Sequence, residues 1–136
     1  MAKDEHLAML RRGSAVWNSW RAGHAEAPDL SGGALRGLDL GGYDLARVDL
    51  SRADLRGTQF RDANLAGANL SGANLFKAVL DGADLSAALL TGAQFLNCAQ
   101  LVSARNWASA FRDDDLACGA TVPKPATGLA TSAPRA

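Results

Sequence analysis

The chain lacks most of the features by which catalytic, secreted or membrane-bound proteins announce themselves. It carries two cysteines and two histidines in 136 residues, and its 14 basic side chains balance its 14 acidic ones. Without net charge there is no long-range field to draw it to nucleic acid or to an anionic membrane, so neither is expected as a partner. The N-terminal stretch MAKDEHLAMLRRGSAVWNSWR is charged every few residues and holds no apolar run of signal-peptide or membrane-span length, from which a cytoplasmic location is expected. Cys98 and Cys118 are too few for a disulfide framework and lack the CxxC spacing or neighbouring histidines of a zinc site, so both are read as reduced thiols. His6 and His24 are not spaced with a nucleophile or a metal set and are read as solvated. The run Asp113, Asp114, Asp115 lacks the alternating oxygen ligands and the glycine of a calcium loop and is read as a polar turn. No catalytic residue, cofactor site or metal site is therefore expected, and the chain is read as not an enzyme.

What the sequence does hold is a period of five. Every fifth residue from Leu30 to Phe95 is leucine or phenylalanine, fourteen positions in all. Two residues before each centre the side chain is small or apolar in most units, as at Ala53, Ala63, Ala68 and Ala73, with Pro28 and Thr58 as departures. The residue just before the centre is usually Asp or Asn, and the second after it is often Gly. Five residues fit neither ordinary element: a helix would smear the leucines around its circumference, and a strand would send alternate centres to opposite faces. A coil that turns a corner at each unit does fit. Its two inward columns would be the centre and the small residue, and its corners would use Gly, Asp and Asn for their backbone angles. The Asp and Asn columns are then expected to bond the backbone at corners rather than to form a comb of metal ligands.

Runs such as ANLAGANLSGANL at 63–75 and ADLRG at 53–57 resemble the A(D/N)LXX pattern of the pentapeptide-repeat family. The resemblance covers 28–97 and implies an all-β solenoid, a right-handed quadrilateral β-helix with four units per coil. That gives about 3.5 coils and a rod roughly 17 Å long at the usual strand separation. With four units per coil, one face stacks Leu30, Leu50, Leu70 and Leu90 inside and a hydroxyl ladder of Ser31, Ser51, Ser71 and Thr91 outside. The next face stacks Leu35, Leu55, Leu75 and Phe95 inside, with Arg36, Arg56, Phe76 and Leu96 outside. This second face turns from basic to apolar. Together with Val79 on the neighbouring face and Leu89 around the corner, it forms a candidate protein interface. The occupants open at this point are the C-terminal segment folding back, a second copy in a homodimer, or a foreign protein of unknown identity.

The ends of a solenoid present unpaired edges and an open core, which the flanks are expected to cover. Residues 1–27 read as one amphipathic capping helix and a linker, with Leu10, Trp17 and Trp20 as the plugs. Residues 98–118 read as a short C-terminal helical cap with Trp107 and Phe111 on one helical face, and 119–136 as a flexible tail. Both flanks are similar to segments that frame bacterial pentapeptide repeats. The resemblance implies a non-enzymatic scaffold for protein–protein interaction, one component of a larger assembly. The alternative it offers is a DNA mimic that binds DNA gyrase or topoisomerase and confers quinolone resistance. Such a mimic needs a strongly acidic rod, whereas 28–97 holds eight Asp against five Arg and one Lys, a net charge of −2.

Overall fold

Nine of the fourteen units fold around an Asp or Asn just before the centre, the other five having Ala34, Gln59, Val79, Leu89 or Gln94 there. The Oδ1 atom accepts the N–H two residues on, as from Gly41 to Asp39, Ser51 to Asp49, Ser71 to Asn69 and Phe76 to Asn74. This Asx turn closes the corner with the side chain that the repeat supplies. The next residue enters the left-handed region. Glycine is there at 32, 37, 42, 57, 67, 72, 82 and 92, while Arg47, Arg52, Asp62, Lys77 and Ala87 are held there with φ between 54° and 62°. The corner geometry thus overrides the side-chain preference at five units.

In the computed structural model, which describes residues 1–124, stacking of these units produces a solenoid paired through isolated parallel bridges rather than long strands. Asp29 pairs with Asp49, Asp49 with Asn69 and Asn69 with Leu89, an offset of 20 residues repeated on all four sides. Four units therefore make one turn. The leucine centres from Leu30 to Leu90 and Phe60 are buried, as are the alanines two before them. Each such Leu contributes about 1.5–3 kcal/mol by leaving water. On the hydroxyl ladder, Ser31 is itself buried, its Oγ bonded to Asp29 Oδ1.

On the second face, the column of centres departs from the period at its last unit. Phe95 takes φ 58° and turns its ring outward, and Leu96 fills the core in its place. This reverses the assignment of Leu96 to the outer surface. The chain can make the exchange because Gln94 still bridges to Asn74, while Asn97 immediately caps a helix and pulls the following backbone inward.

The N-terminal segment is two helices, α1 (Asp4–Leu10) and α2 (Ser14–Ala22), and not the single helix expected. Gly13 breaks them with φ 101°, a value that a residue with a Cβ rarely adopts. Both lie on the first coil, whose outer backbone groups have no preceding coil to pair with. His6 Nδ1 accepts the Asp29 N–H, and the N–H groups of Lys3 and Ala2 reach the Asp29 and Ser31 carbonyls. Asn18 bonds the Asp44 N–H and the Gly42 carbonyl, Trp17 Nε1 donates to the Asp44 carbonyl at 2.7 Å, and Arg21 donates to the Ala46 carbonyl. His6 is buried by this role, contrary to the solvated reading.

After Asn97 the chain forms α3 (Cys98–Val102) and two 3-10 turns, Trp107–Ser109 and Asp114–Leu116. It does not leave the solenoid. Arg105 bridges to Asp84 and Phe111 to Leu89, offsets of 21 and 22 in place of 20, so 104–112 is an irregular further part-turn. Ala104 and Ala110 continue the small inward column. Trp107 and Phe111 are consequently not on one helical face: the turn at Trp107 ends before Phe111, which lies half-buried in the bridge to Leu89. By that register Arg112 stands over Leu90 and is buried. Its guanidinium donates to the carbonyls of Ala108, Ala110, Leu116, Ala117 and Ala120 and stacks 5.3 Å from the Trp107 ring. Cys98 and Cys118 are joined in a disulfide, Cα to Cα 5.5 Å, which corrects the free-thiol expectation. The part-turn carries the chain back to where it left the ladder, a closeness that linear spacing does not reveal. The expected tail boundary at 119 also moves, because Ala120 is held by Arg112. The remainder of that tail, 125–136, lies outside the described residues.

Candidate protein-binding face

The second face is the place where outward side chains change character from coil to coil. Arg36, Arg56 and Phe76 each follow a buried leucine and stand one above the next, about 4.8 Å apart. Asp54 anchors the middle of the row: Arg56 Nε and Nη2 donate to its two carboxylate oxygens, each at 2.8 Å. The Arg56 side chain holds the Asp54 carboxyl down to about 2, well below the usual range, and the Arg56 guanidinium is raised in turn. Arg36 and Lys77 have no ion pair among the described residues.

Above the arginines the surface is aromatic. Phe76 is 46% exposed and Phe95 66%, their ring centroids 5.7 Å apart and their planes nearly perpendicular. Such edge-on pairs are favourable, yet two large rings left this open are unusual in a chain that buries its other leucine and phenylalanine centres. Lys77 Nζ lies 5.4 Å from the Phe76 ring centroid. Two shallow grooves meet here. One, of about 340 Å³, is lined by Arg36, Arg56, Phe76, Lys77 and two glycines. The other, of about 420 Å³, runs on past Phe76 to Phe95 and Gln100. Gln100 is fixed as the far wall: its Nε2 donates to the carbonyls of Leu75 and Ala78, and its Oε1 accepts the Asn97 N–H within a capping box.

Of the expected interface residues, Arg36, Arg56 and Phe76 come together in this trough. Leu96 lies beneath it, and Val79 and Leu89 are half-buried in bridges on other faces, to Gln59 and to Asn69. Phe95 and Lys77 were missed. Lys77 occupies a corner position usually held by Gly, and the Phe95–Leu96 doublet offered two equally apolar candidates for one inward place. Of the capping residues, Leu10 and Trp17 are fully buried against the core, and Trp20 and Trp107 are half-buried on it. Among the described residues no three His, Cys, Asp or Glu side chains gather to hold a metal, and no helix is long and apolar enough to cross a membrane.

The corner carboxylates make stability sensitive to acid. Asp54 is depressed chiefly by Arg56, Asp29 by the Ser31 hydroxyl, and Asp84 by the Asn106 amide and then by Ser86. Because each is lower folded than unfolded, its stabilising contribution is complete above about pH 4 and is lost as pH falls through the folded values. Urea midpoints should therefore be flat from pH 7 to about pH 5 and fall steeply towards pH 2. A midpoint unchanged at pH 2.5 would show that these turns do not depend on ionised Asp.

The period, corner turns and 20-residue register agree with the sequence families. The family described as "Pentapeptide repeats" matches in eight copies spanning 29–62, 44–80, 53–92 and 68–101. The chain belongs to the pentapeptide-repeat family. Among solved structures of the family, the chain is similar to HetL from Nostoc sp. strain PCC 7120, a protein involved in heterocyst differentiation regulation. The identity is 33% over 60% of this chain and 37% of HetL, with a TM-score of 0.31. It is similar to alr5209 from Nostoc PCC 7120 at 31% identity over 77% of this chain and 90% of that one, with a TM-score of 0.36. It matches Rfr23 from Cyanothece 51142 at 22% identity over 68% and 65% of the two chains, with a TM-score of 0.25. No curated protein matches significantly. Pentapeptide-repeat proteins are β-helical repeat proteins and generally not enzymes.

Proposed function

We propose that this pentapeptide-repeat protein is a non-enzymatic scaffold that holds another protein against its second face. The observation that carries the reading is the edge-on pair Phe76 and Phe95, left open to solvent beside a row of cations. In the finer architecture of the proposal, about three and a half regular right-handed coils carry the face, and the two flanks act as caps. The C-terminal segment is spent on closing the end of the rod through Arg112, which favours a foreign occupant over the chain's own described residues. The cations on this face are opposite in sign to the surface a DNA mimic presents, which sets that alternative behind. The Cys98–Cys118 bond supports an oxidising compartment rather than the cytoplasmic default.

Affinity capture with the wild type and with Phe76→Asp provides the test, both first shown to have the same circular dichroism and melting curve. At least one abundant prey should be lost on Phe76→Asp. Identical prey sets for the two folded proteins would remove the second face as the interaction surface.

A further inference from the structure

We propose that the occupant of the trough is an extended acidic–aromatic peptide segment of a partner protein, lying parallel to the rod axis with its carboxylates over Arg36, Arg56 and Lys77 and an aromatic or large aliphatic side chain against the exposed side of the Phe76–Phe95 pair. This rests on the scaffold reading above and specifies the chemistry of the same face.

The charge count selects the acid. Three cations and no carboxylate line the lower groove, and the nearest acid, Asp54, has both oxygens taken by Arg56. An approaching segment that carried basic or only neutral groups would leave Arg36 and Lys77 without an ion pair among the described residues, and would lose the hydration of their charges for nothing in return. A second copy docked on the same face would bring three further cations and, as its acid, only an Asp54 already held by its own Arg56. The chain's residues 125–136, PATGLATSAPRA, contain no Asp or Glu.

The coil repeat sets the spacing. Arg36 and Phe76 are two coils apart, about 10 Å, which is the reach of about three residues of extended chain. Arg36 and Phe95 are three coils apart, about 14 Å, or about four residues. A segment with acids roughly three residues from an aromatic therefore meets the cations and the open rings together. The two grooves share Phe76 and Lys77, so one strand can occupy both. Both rings of the edge-on pair are open to solvent, so a third ring can pack on their exposed side, and Lys77 above Phe76 supplies a charge that a carboxylate can reach beside it.

Selection from a displayed library of random peptides, run in parallel on the wild type, Arg36→Glu and Phe76→Asp, tests this. Wild type should enrich peptides with Asp or Glu about three residues from Phe, Tyr, Trp or Leu. Fluorescence anisotropy of the enriched peptide should show binding weakened about tenfold or more by Arg36→Glu, and further by added salt. Replacing only the peptide acid that faces position 36 by lysine should recover affinity for Arg36→Glu while weakening binding to the wild type. Enriched peptides without acids, or equal binding to wild type and Arg36→Glu, would overturn the acidic assignment while Phe76-dependent binding kept the face itself. Binding that survives Phe76→Asp would overturn the face. No Phe76-dependent enrichment, with a sedimentation dimer that Phe76→Asp dissociates, would make a second copy the occupant and overturn the peptide proposal.

Discussion

Trp17→Ala is expected to lower the free energy of unfolding by about 4 kcal/mol, more than any other single truncation in the N-terminal segment. The indole is fully buried and is the largest side chain in the core. Removing it leaves a cavity beside Tyr43 and Trp20 at the open end of the solenoid. It also strands the Asp44 carbonyl, which takes its hydrogen bond from Trp17 Nε1 in place of a preceding coil. Trp17→Phe separates the two effects, since it keeps most of the volume and loses only the donor, with an expected loss of about 1–2 kcal/mol. Urea denaturation followed by circular dichroism measures both. If Trp17→Ala stays within about 1 kcal/mol of the wild type, α1 and α2 do not dress the first coil, because surface changes stay in that range.

The other large effect is expected at the opposite end. Arg112→Met keeps a long apolar stem but withdraws the donors from five carbonyls, and should destabilise by about 3 kcal/mol through acceptors left buried and unpaired. Arg112→Lys should recover little, because an ammonium is a compact three-donor group and cannot span acceptors on both sides of a planar fork. Burial pushes the guanidinium's pKa down, and its five carbonyl bonds offset that loss of hydration. Amide hydrogen exchange gives a local reading: the Leu90 and Phe111 N–H groups, paired across the last bridge, should lose protection before the middle coils do. Retained protection at both amides in Arg112→Met would mean that the disulfide and the backbone bridges close this end without the clasp.

Legibility in the sequence followed the number of times each instruction was repeated. The Leu and Ala columns, the Asx corners and the four-unit turn were written some dozen times over, and any single departure such as Thr58 was outvoted. Thr58 is tolerated because its hydroxyl donates to the Leu35 carbonyl from within the core. The ends are written once. His6, Asn18, Arg21 and Arg112 all bond backbone atoms of the coil, and a backbone carbonyl has no residue type for a sequence reading to match against. The disulfide was hidden for a related reason, since its closeness depends on the irregular offsets of 21 and 22 that only the folded part-turn discloses. Within the interface, Arg36, Arg56 and Phe76 could be placed because they sit in register. Leu96 and Phe95 exchanged places because the last unit obeys Asn97 and the helix it starts rather than the ladder behind it.

The 20-residue offset that holds from Asp29 to Gln94 leaves the rod's length open to change. Since each end is finished by residues outside the repeat, the number of coils is a free variable of the design: one more block of twenty residues, inserted between corners in the middle of the rod, would meet identical surfaces above and below. Such duplication would leave α1, α2 and the Arg112 clasp untouched while pushing Arg36 about 4.8 Å further from Phe95. Gene-level growth of this chain would therefore act as a ruler, resetting the distance between charge and aromatic ring in whole coil steps without redesigning either.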